Sequence, residues 1–192
     1  MFDLSSLLIT LPILLLTIAV HEFSHAKVAD ILGDATPRHL GRLTLNPFSH
    51  IDLLGLLMLI FIRIGWAKPV PVNPYNFSDP KKGMALVAVS GPASNFFMAY
   101  VFSLFFKYVP LMPFWQDIVF YAIWINCALA IFNLLPIPPL DGANILQAFL
   151  PSEYAEFLEN LQRYGFFILL FIIFFMQDAL VFLINFVVKF FI

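Results

Sequence analysis

The stretch Leu7–Val28 reads LLITLPILLLTIAVHEFSHAKV, an apolar run that ends in two histidines and a glutamate. A helix needs about 20 mostly apolar residues to cross a bilayer, so the run predicts a first membrane-spanning helix. Positive charge normally precedes the apolar core of a secretory signal, but no Lys or Arg precedes Lys27. We therefore expect this helix to remain in the mature protein.

The composition predicts that the rest of the chain also lies in a lipid bilayer. Hydrophobic residues make up 61% of the 192 positions and charged residues 11%, whereas about a quarter of residues are charged in ordinary soluble domains. A soluble protein of this size could not bury so much apolar surface. The 24 Phe residues suit a lipid-facing surface, and the net charge of −2 gives no basic patch for nucleic acid. The single cysteine, Cys127, excludes an internal disulfide.

Outward from the first run, three more apolar runs are long enough to span: Met84–Phe106, Ile118–Leu135 and Phe166–Val188. The shorter run Ile51–Ile64, which contains Gly55 and Arg63, has a length typical of a re-entrant or interfacial segment. The proline-rich stretch that follows forbids a helix and favours an extended edge, and Pro151–Arg163 predicts an amphipathic interfacial helix. The fold class is therefore an all-α membrane protein, a polytopic helical bundle with about four spanning helices, one re-entrant segment and a short extended or β stretch.

The placement of positive charge predicts the orientation. Six of the ten Lys and Arg residues lie between the first span and Met84: Arg38, Arg42, Arg63, Lys68, Lys81 and Lys82. The positive-inside rule puts this loop in the cytoplasm and the N-terminus outside.

The end of the first span carries His21-Glu22-Phe23-Ser24-His25, an H-E-x-x-H motif. Residues four apart share one face of a helix, so His21 and His25 would bind one metal ion through imidazole nitrogens. Glu22 borders that face and would act as general base toward a water molecule at the metal. Ionisable residues at the centre of a spanning helix cost about 2.5–3.5 kcal/mol each, and zinc binding would offset this cost. The alternative is that the motif lies in water beyond the membrane edge, where the spacing still suits zinc.

A second motif, NLLPIPPLDG at Asn133–Gly142, ends the third long run. Its closely spaced prolines stop a helix, and irregular backbone at membrane depth is tolerated only around a cavity or within protein. Asp141 is therefore a candidate third zinc ligand, with Gly142 giving the turn its freedom, because catalytic zinc usually keeps three protein ligands. A simple surface turn is the alternative.

The number of membrane crossings predicts that HEFSH and NLLPIPPLDG lie at the same depth in the bilayer. Two further spans return the chain to the cytoplasmic side at Asn133, provided that Ile51–Ile64 does not cross. His50 and Asp52, in the loop after the first span, stay as competing ligands, and His39 is expected to be solvated.

Together HEFSH and NLLPIPPLDG resemble the site-2 protease family of intramembrane zinc metalloproteases. GRLTLNPFSHID (Gly41–Asp52) and SGPASN (Ser90–Asn95) look like the corresponding stretches of its short bacterial members, and the similarity covers roughly Leu7 to Leu150. Many members carry a PDZ domain or paired CBS domains, for which this sequence has no room. We expect a single domain over residues 1–192, with a catalytic core at about 7–150 and a C-terminal helix at 166–190.

The resemblance implies the roles of the site residues. It implies three transmembrane helices around one zinc ion per chain, held by His21, His25 and Asp141, with Glu22 as the base. It also implies that Asn133 helps to stabilise the oxyanion of the tetrahedral intermediate. The alternative for Asn133 is a helix-end amide that satisfies freed carbonyl groups.

The function implied by the resemblance is a zinc metalloendopeptidase of regulated intramembrane proteolysis, in the multi-pass cell membrane of a bacterium. Its expected partners are a transmembrane peptide or protein substrate and the lipid bilayer. The alternative function is a membrane metal-ion transporter or channel with a zinc site. Transporters often show internal repeats and polar residues along several spans, whereas the polar residues of this chain gather at one depth.

Two further features suggest supporting roles. Asn95 needs a hydrogen-bond partner at membrane depth and is expected to support the metal site. PVPVNPYNF (residues 69–77) would present an edge that pairs with an unwound substrate by strand addition.

Overall fold

The chain folds as a helical bundle in a computed structural model that describes residues 4–62 and 64–192. The α-helices are α1 Leu4–Ile31, α2 Thr36–His39, α3 Leu53–Ile62, α4 Pro80–Tyr108, α5 Pro113–Asn133, α6 Asp141–Phe149, α7 Ala155–Phe175 and α8 Gln177–Val188. Short 3₁₀ turns lie at Pro47–His50, Pro74–Asn76 and Ser152–Tyr154. The described residues contain no β-sheet, and one antiparallel bridge joins Ile51 to Ala67. The all-α prediction is confirmed, and its extended stretch is the segment around that bridge.

Three helices, α1, α4 and α5, are long and apolar enough to cross a membrane, as the sequence predicted. Helices α4 and α5 begin a few residues before their apolar runs because local signals set their starts. Pro80 and Pro113 occupy the first positions of α4 and α5, where a missing N–H group costs nothing. The Asp79 side chain accepts a hydrogen bond from the Lys82 N–H and so caps α4.

Helix α4 lies at the centre of the bundle and packs against α1, α5 and α6. Its inward face is made of small residues such as Ala88, Gly91 and Ala99, which let the neighbouring backbones approach closely. Large aromatic residues face outward instead: Phe97, Phe167 and Phe182 are all more than 60% exposed. This surface is the one expected of a protein solvated by lipid.

The short helix α3 agrees with the prediction for Ile51–Ile64. Ten helical residues reach about 15 Å, half the thickness of the hydrocarbon core. Its Leu53 and Phe61 side chains are more than 70% exposed. Arg63, which the sequence placed in this segment, lies outside the described residues.

The C-terminal prediction was wrong in detail. A separate interfacial helix over Pro151–Arg163 and a spanning segment over Phe166–Val188 were expected, but α7 runs unbroken through Arg163 and ends at Phe175. Helix α8 then leaves at an angle of 80°. The polar pair Gln177-Asp178 interrupts the apolar run, and Asp178 lies in the first turn of α8, where the positive end of the helix dipole favours a carboxylate.

Candidate metal centre

Three side chains from distant parts of the chain converge at one buried point. His21 and His25 come from α1, and Asp141 is the first residue of α6. The two Nε2 atoms lie 3.0 Å apart, and they lie 3.2 and 3.3 Å from Oδ2 of Asp141. Zinc–ligand distances of about 2.0–2.2 Å in a tetrahedral site place neighbouring ligand atoms about 3.3–3.6 Å apart. The three atoms therefore have nearly the spacing of three corners of a zinc tetrahedron.

The hydrogen bonds of the two imidazoles leave both Nε2 atoms as bare acceptors. Nδ1 of His25 lies 2.7 Å from the carbonyl oxygen of Val87, which can only accept, so Nδ1 carries the proton. Nδ1 of His21 lies 2.6 Å from Oδ1 of Asn95 and donates to it in the same way. Both lone pairs then point at the shared centre, as a metal ligand requires.

Asp141 completes a cluster that needs a cation. Its Oδ2 is buried and has no hydrogen-bond partner among the described residues. Three acceptors within 3.3 Å of one another repel each other unless a positive ion lies between them. The donor set of two imidazoles and one carboxylate suits zinc. On the chemistry of these residues, the site fits one zinc ion.

The loop before Asp141 brings the carboxylate to the histidines. Residues 134–140 leave the end of α5 without helical structure, and Asp141 starts α6. The proposed reason for Gly142 was wrong, because it has an ordinary helical conformation. A Cβ at Gly142 would instead lie 2.3 Å from the carbonyl oxygen of Leu134 and 2.4 Å from that of Leu135. The position needs glycine because α6 packs directly on the end of α5.

Glu22 lies beside the three ligands at the wall of a cavity of about 280 Å³. Its Oε2 accepts a hydrogen bond of 3.0 Å from the backbone N–H of Val70. The side chain is held in place by that bond and is 9% exposed. No hydrogen bond from the described residues reaches the second carboxylate oxygen of Glu22, which leaves it available for a proton.

Asn133 also lines the cavity, at the last residue of α5. Its amide nitrogen donates to the carbonyl oxygen of Leu129 at 3.0 Å. This is the contact expected if Asn133 is a helix-end amide that satisfies freed carbonyl groups. The amide nitrogen has two hydrogens, so the second remains for a group inside the cavity. The geometry is compatible with both roles.

Segment 69–77, which is extended as far as the 3₁₀ turn at Pro74–Asn76, forms one wall of the cavity. Besides the bond from Val70 to Glu22, hydrogen bonds hold it near both of its ends. Nη2 of Arg42 donates to the carbonyl oxygens of Lys68 and Pro69, both at 2.8 Å. The fully buried carboxylate of Asp34 accepts from the Asn73 N–H and from the Asn76 amide. Charged partners make these hydrogen bonds strong, so the segment has a fixed position over Glu22.

Asp34 gives this tether a pH dependence. Burial alone would raise the pKa of Asp34, but hydrogen bonds from Thr36, Asn73 and Asn76 outweigh it and hold the pKa below its usual value. A lowered pKa stabilises the fold above the unfolded-state value, and that stability is lost as the pH falls through the folded-state value. We expect acid to speed amide hydrogen exchange at Asn73, corrected for the intrinsic rate, and Asp34→Asn to weaken this dependence.

A matched control for the pH dependence is Asp79→Asn. Asp79 also has a lowered pKa, because it caps α4 at Lys82, but it does not contact the segment. The role of Asp34 would be disproved if Asp79→Asn changed the exchange of Asn73 as strongly as Asp34→Asn.

Gly91 of α4 lies next to the imidazole rings of His21 and His25. A Cβ at this position would lie 2.5 Å from Nε2 of His25 and 2.6 Å from Cε1 of His21. Metal ligands must be held to within about 0.5 Å, so displacement of either ring spoils the site. We expect Gly91→Ala protein to lose most of its zinc, as measured by metal analysis after purification.

A control for the steric effect is Gly83→Ala in the first turn of the same helix. A Cβ at Gly83 would lie 2.3 Å from the ring of Phe77 and far from the histidines. We expect that variant to be less stable but to keep its zinc. Equal zinc contents in the two variants would contradict the contact described for Gly91.

The structure separates the competing ligand candidates from the cluster. His50 is buried and its Nε2 donates to the Thr44 carbonyl, and Asp52 accepts from the Gly55 N–H at the start of α3. His39 is exposed, as expected. None of the three belongs to the group of His21, His25 and Asp141.

The sequence interpretation missed two polar residues near the site. Asn144 follows Asp141 by three residues, so it shares its helix face and lines the cavity. Asn126 is fully buried within the apolar helix α5. The signal for Asn126 was present in the sequence, since an amide in a membrane span needs a partner.

The chain is similar to known proteins over most of its length. A family model described as peptidase family M50 matches residues 111–172, which include NLLPIPPLDG. YwhC of Bacillus subtilis, whose name marks it as a candidate zinc metalloprotease, is 37% identical over 83% of this chain and 79% of its own length. Rip2 of Mycolicibacterium smegmatis, named in the same way, is 32% identical over 80% of this chain. The chain spans 62% of that Rip2 protein. No solved structure matches the chain significantly.

Proposed function

We propose that this chain cuts transmembrane substrates. It belongs to peptidase family M50 and is a zinc metalloprotease with membrane-spanning helices. The cut would fall within or near the cytoplasmic side of the bilayer, in the cell membrane of a bacterium. The observation that carries the proposal is the convergence of His21, His25 and Asp141 beside Glu22, on helices apolar enough to lie in lipid. A substrate that is itself anchored in the membrane reaches such a site most easily.

The residues around the cavity have distinct tasks in this hydrolysis. His21, His25 and Asp141 would hold zinc, which polarises a substrate carbonyl and makes water acidic enough to be deprotonated near neutral pH. The free oxygen of Glu22 accepts that proton and returns it to the leaving amine. The Val70 N–H keeps the carboxylate pointed at the cavity throughout.

Asn133 supplies a donor for the developing oxyanion. Its second amide hydrogen is free of the Leu129 carbonyl, and its side chain lines the same cavity as Glu22. A preorganised donor of this kind contributes about 3 kcal/mol to lowering the barrier.

The substrate must be extended where it is cut, because the carbonyls of a helix are shielded by its own hydrogen bonds. Segment 69–77 would guide the extended strand, since Pro69, Val70 and Val72 line the cavity. The Val70 N–H is taken by Glu22 and prolines lack one, so the Val72 N–H is the donor through which a substrate strand would pair. A substitution at Pro71 should then alter which substrates are cut while the zinc content stays the same. If cleavage and zinc content fall equally, Pro71 has a folding role instead.

The experiment that tests the proposed function compares two peptides. Purified protein in detergent is incubated with a transmembrane model peptide and with a soluble, unstructured peptide of similar length. We expect the transmembrane peptide to be cut, the cut to disappear with a chelator, and zinc to restore it. Preference for the soluble peptide would contradict the intramembrane assignment. Zinc flux into vesicles without any cleavage would favour a transporter.

A further inference from the structure

Three buried polar side chains connect the metal centre to the middle of the bundle. Oδ1 of Asn95 in α4 accepts from Nδ1 of His21 at 2.6 Å. Its Nδ2 donates at 3.3 Å to Oδ1 of Asn126 in α5. Nδ2 of Asn126 in turn donates to the hydroxyl of Thr17, one turn before His21 in α1, at 3.2 Å. All three side chains are at most 4% exposed.

The direction of every hydrogen bond in this network is fixed from its far end. Nδ2 of Asn126 lies 2.8 Å from the carbonyl oxygen of Ala122, and a carbonyl can only accept. The amide of Asn126 therefore turns its oxygen toward Asn95. Asn95 must then present its nitrogen to Asn126 and its oxygen to His21.

The orientation of Asn95 in turn decides the state of His21. An amide oxygen against Nδ1 requires the proton on Nδ1 and leaves Nε2 as the metal-binding atom. A reversed amide would place an N–H group against Nδ1, favour the proton on Nε2 and block the metal position. The orientation of the Asn126 amide thus determines the tautomer of His21 through the amide of Asn95.

We propose that Asn95 and Asn126, with Thr17, are positioning residues that select the metal-binding tautomer of His21 and thereby set the zinc affinity. This inference rests on the proposed function, since it takes His21 as a zinc ligand. Another explanation for buried amides in membrane spans is that their hydrogen bonds hold neighbouring helices together. Helix association does not explain why the chain of hydrogen bonds begins at a zinc ligand, His21.

The test measures zinc affinity by chelator competition and, in zinc-free protein, the ¹⁵N NMR shifts of the His21 ring. We expect Asn95→Leu to weaken zinc binding about 10–100-fold and to give His21 a mixture of tautomers. Asn95→Asp keeps an oxygen acceptor for Nδ1 but cannot donate to Asn126, so it should restore the single tautomer of His21 and part of the affinity. Wild-type affinity and wild-type shifts in Asn95→Leu would overturn the inference.

Controls separate this positioning role from packing and from the proposed function. Ser103→Ala removes a buried side chain's bond to Tyr100 on the same helix and should change neither readout. If Asn95→Leu does not fold, Asn126→Leu should shift both readouts in the same direction by less, and no shift would overturn the inference. Tight zinc binding by His21→Ala would instead contradict the proposed site itself.

Discussion

The Glu22→Gln protein is expected to keep its zinc and to lose peptide cleavage by about 10²–10⁴-fold, the usual contribution of a general base. Glutamine has the shape of glutamate but cannot take up a proton. Its amide oxygen can still accept the hydrogen bond that the Val70 N–H now gives to Oε2. The wall of the cavity should therefore stay in place, and only the proton transfer is removed.

The measurement pairs zinc analysis with cleavage of a transmembrane peptide. Glu153→Gln makes the same chemical change at an exposed position away from the cavity and should cleave at the wild-type rate. Equal cleavage by Glu22→Gln and wild type would exclude Glu22 as the base. Loss of zinc from Glu22→Gln would show that Glu22 helps to hold the ion instead.

Much of the fold was predictable because a membrane leaves few choices. Apolar length alone located α1, α4 and α5, and only the ends depended on caps such as Asp79. The bend between α7 and α8 was not predicted, because the length of an apolar run does not show where a helix breaks. Gln177 and Asp178 are two polar residues in a long apolar run, and their effect on helix direction depends on tertiary surroundings.

The site was predictable to the level of its motifs but not of its neighbours. His21 and His25 follow from helical spacing, and Asp141 followed from the proline-broken loop together with the family resemblance. The contacts of Gly91 and Asn126 join different helices, and spacing along one chain cannot show which residues of two spans meet. Asn95 was recognised as needing a partner, but the partner, His21, became identifiable only from the packing of α1 on α4.

Asp141→Asn is expected to weaken zinc binding strongly while stabilising the zinc-free protein. Zinc sites contribute about 10–16 kcal/mol from roughly four ligands, so one ligand is worth about 3 kcal/mol, or on the order of 10²-fold in affinity. Without zinc, and while neither Nε2 carries a proton, the carboxylate and the two nitrogens repel each other at 3.0–3.3 Å. An amide at position 141 removes the charge and can donate to an imidazole nitrogen, which relieves that repulsion.

Two opposite shifts distinguish this ligand role from ordinary damage to the loop. In detergent without zinc, Asp141→Asn should unfold at a higher temperature than wild type, and added zinc should stabilise wild type far more than the variant. Asp52→Asn is the matched control, because an asparagine oxygen can still cap α3 at Gly55 and Asp52 lies outside the cluster. A lower unfolding temperature of zinc-free Asp141→Asn, with zinc affinity unchanged, would mean that the carboxylate stabilises α6 rather than a metal ion. The expected result would mean that the carboxylate which the zinc site requires destabilises the zinc-free fold.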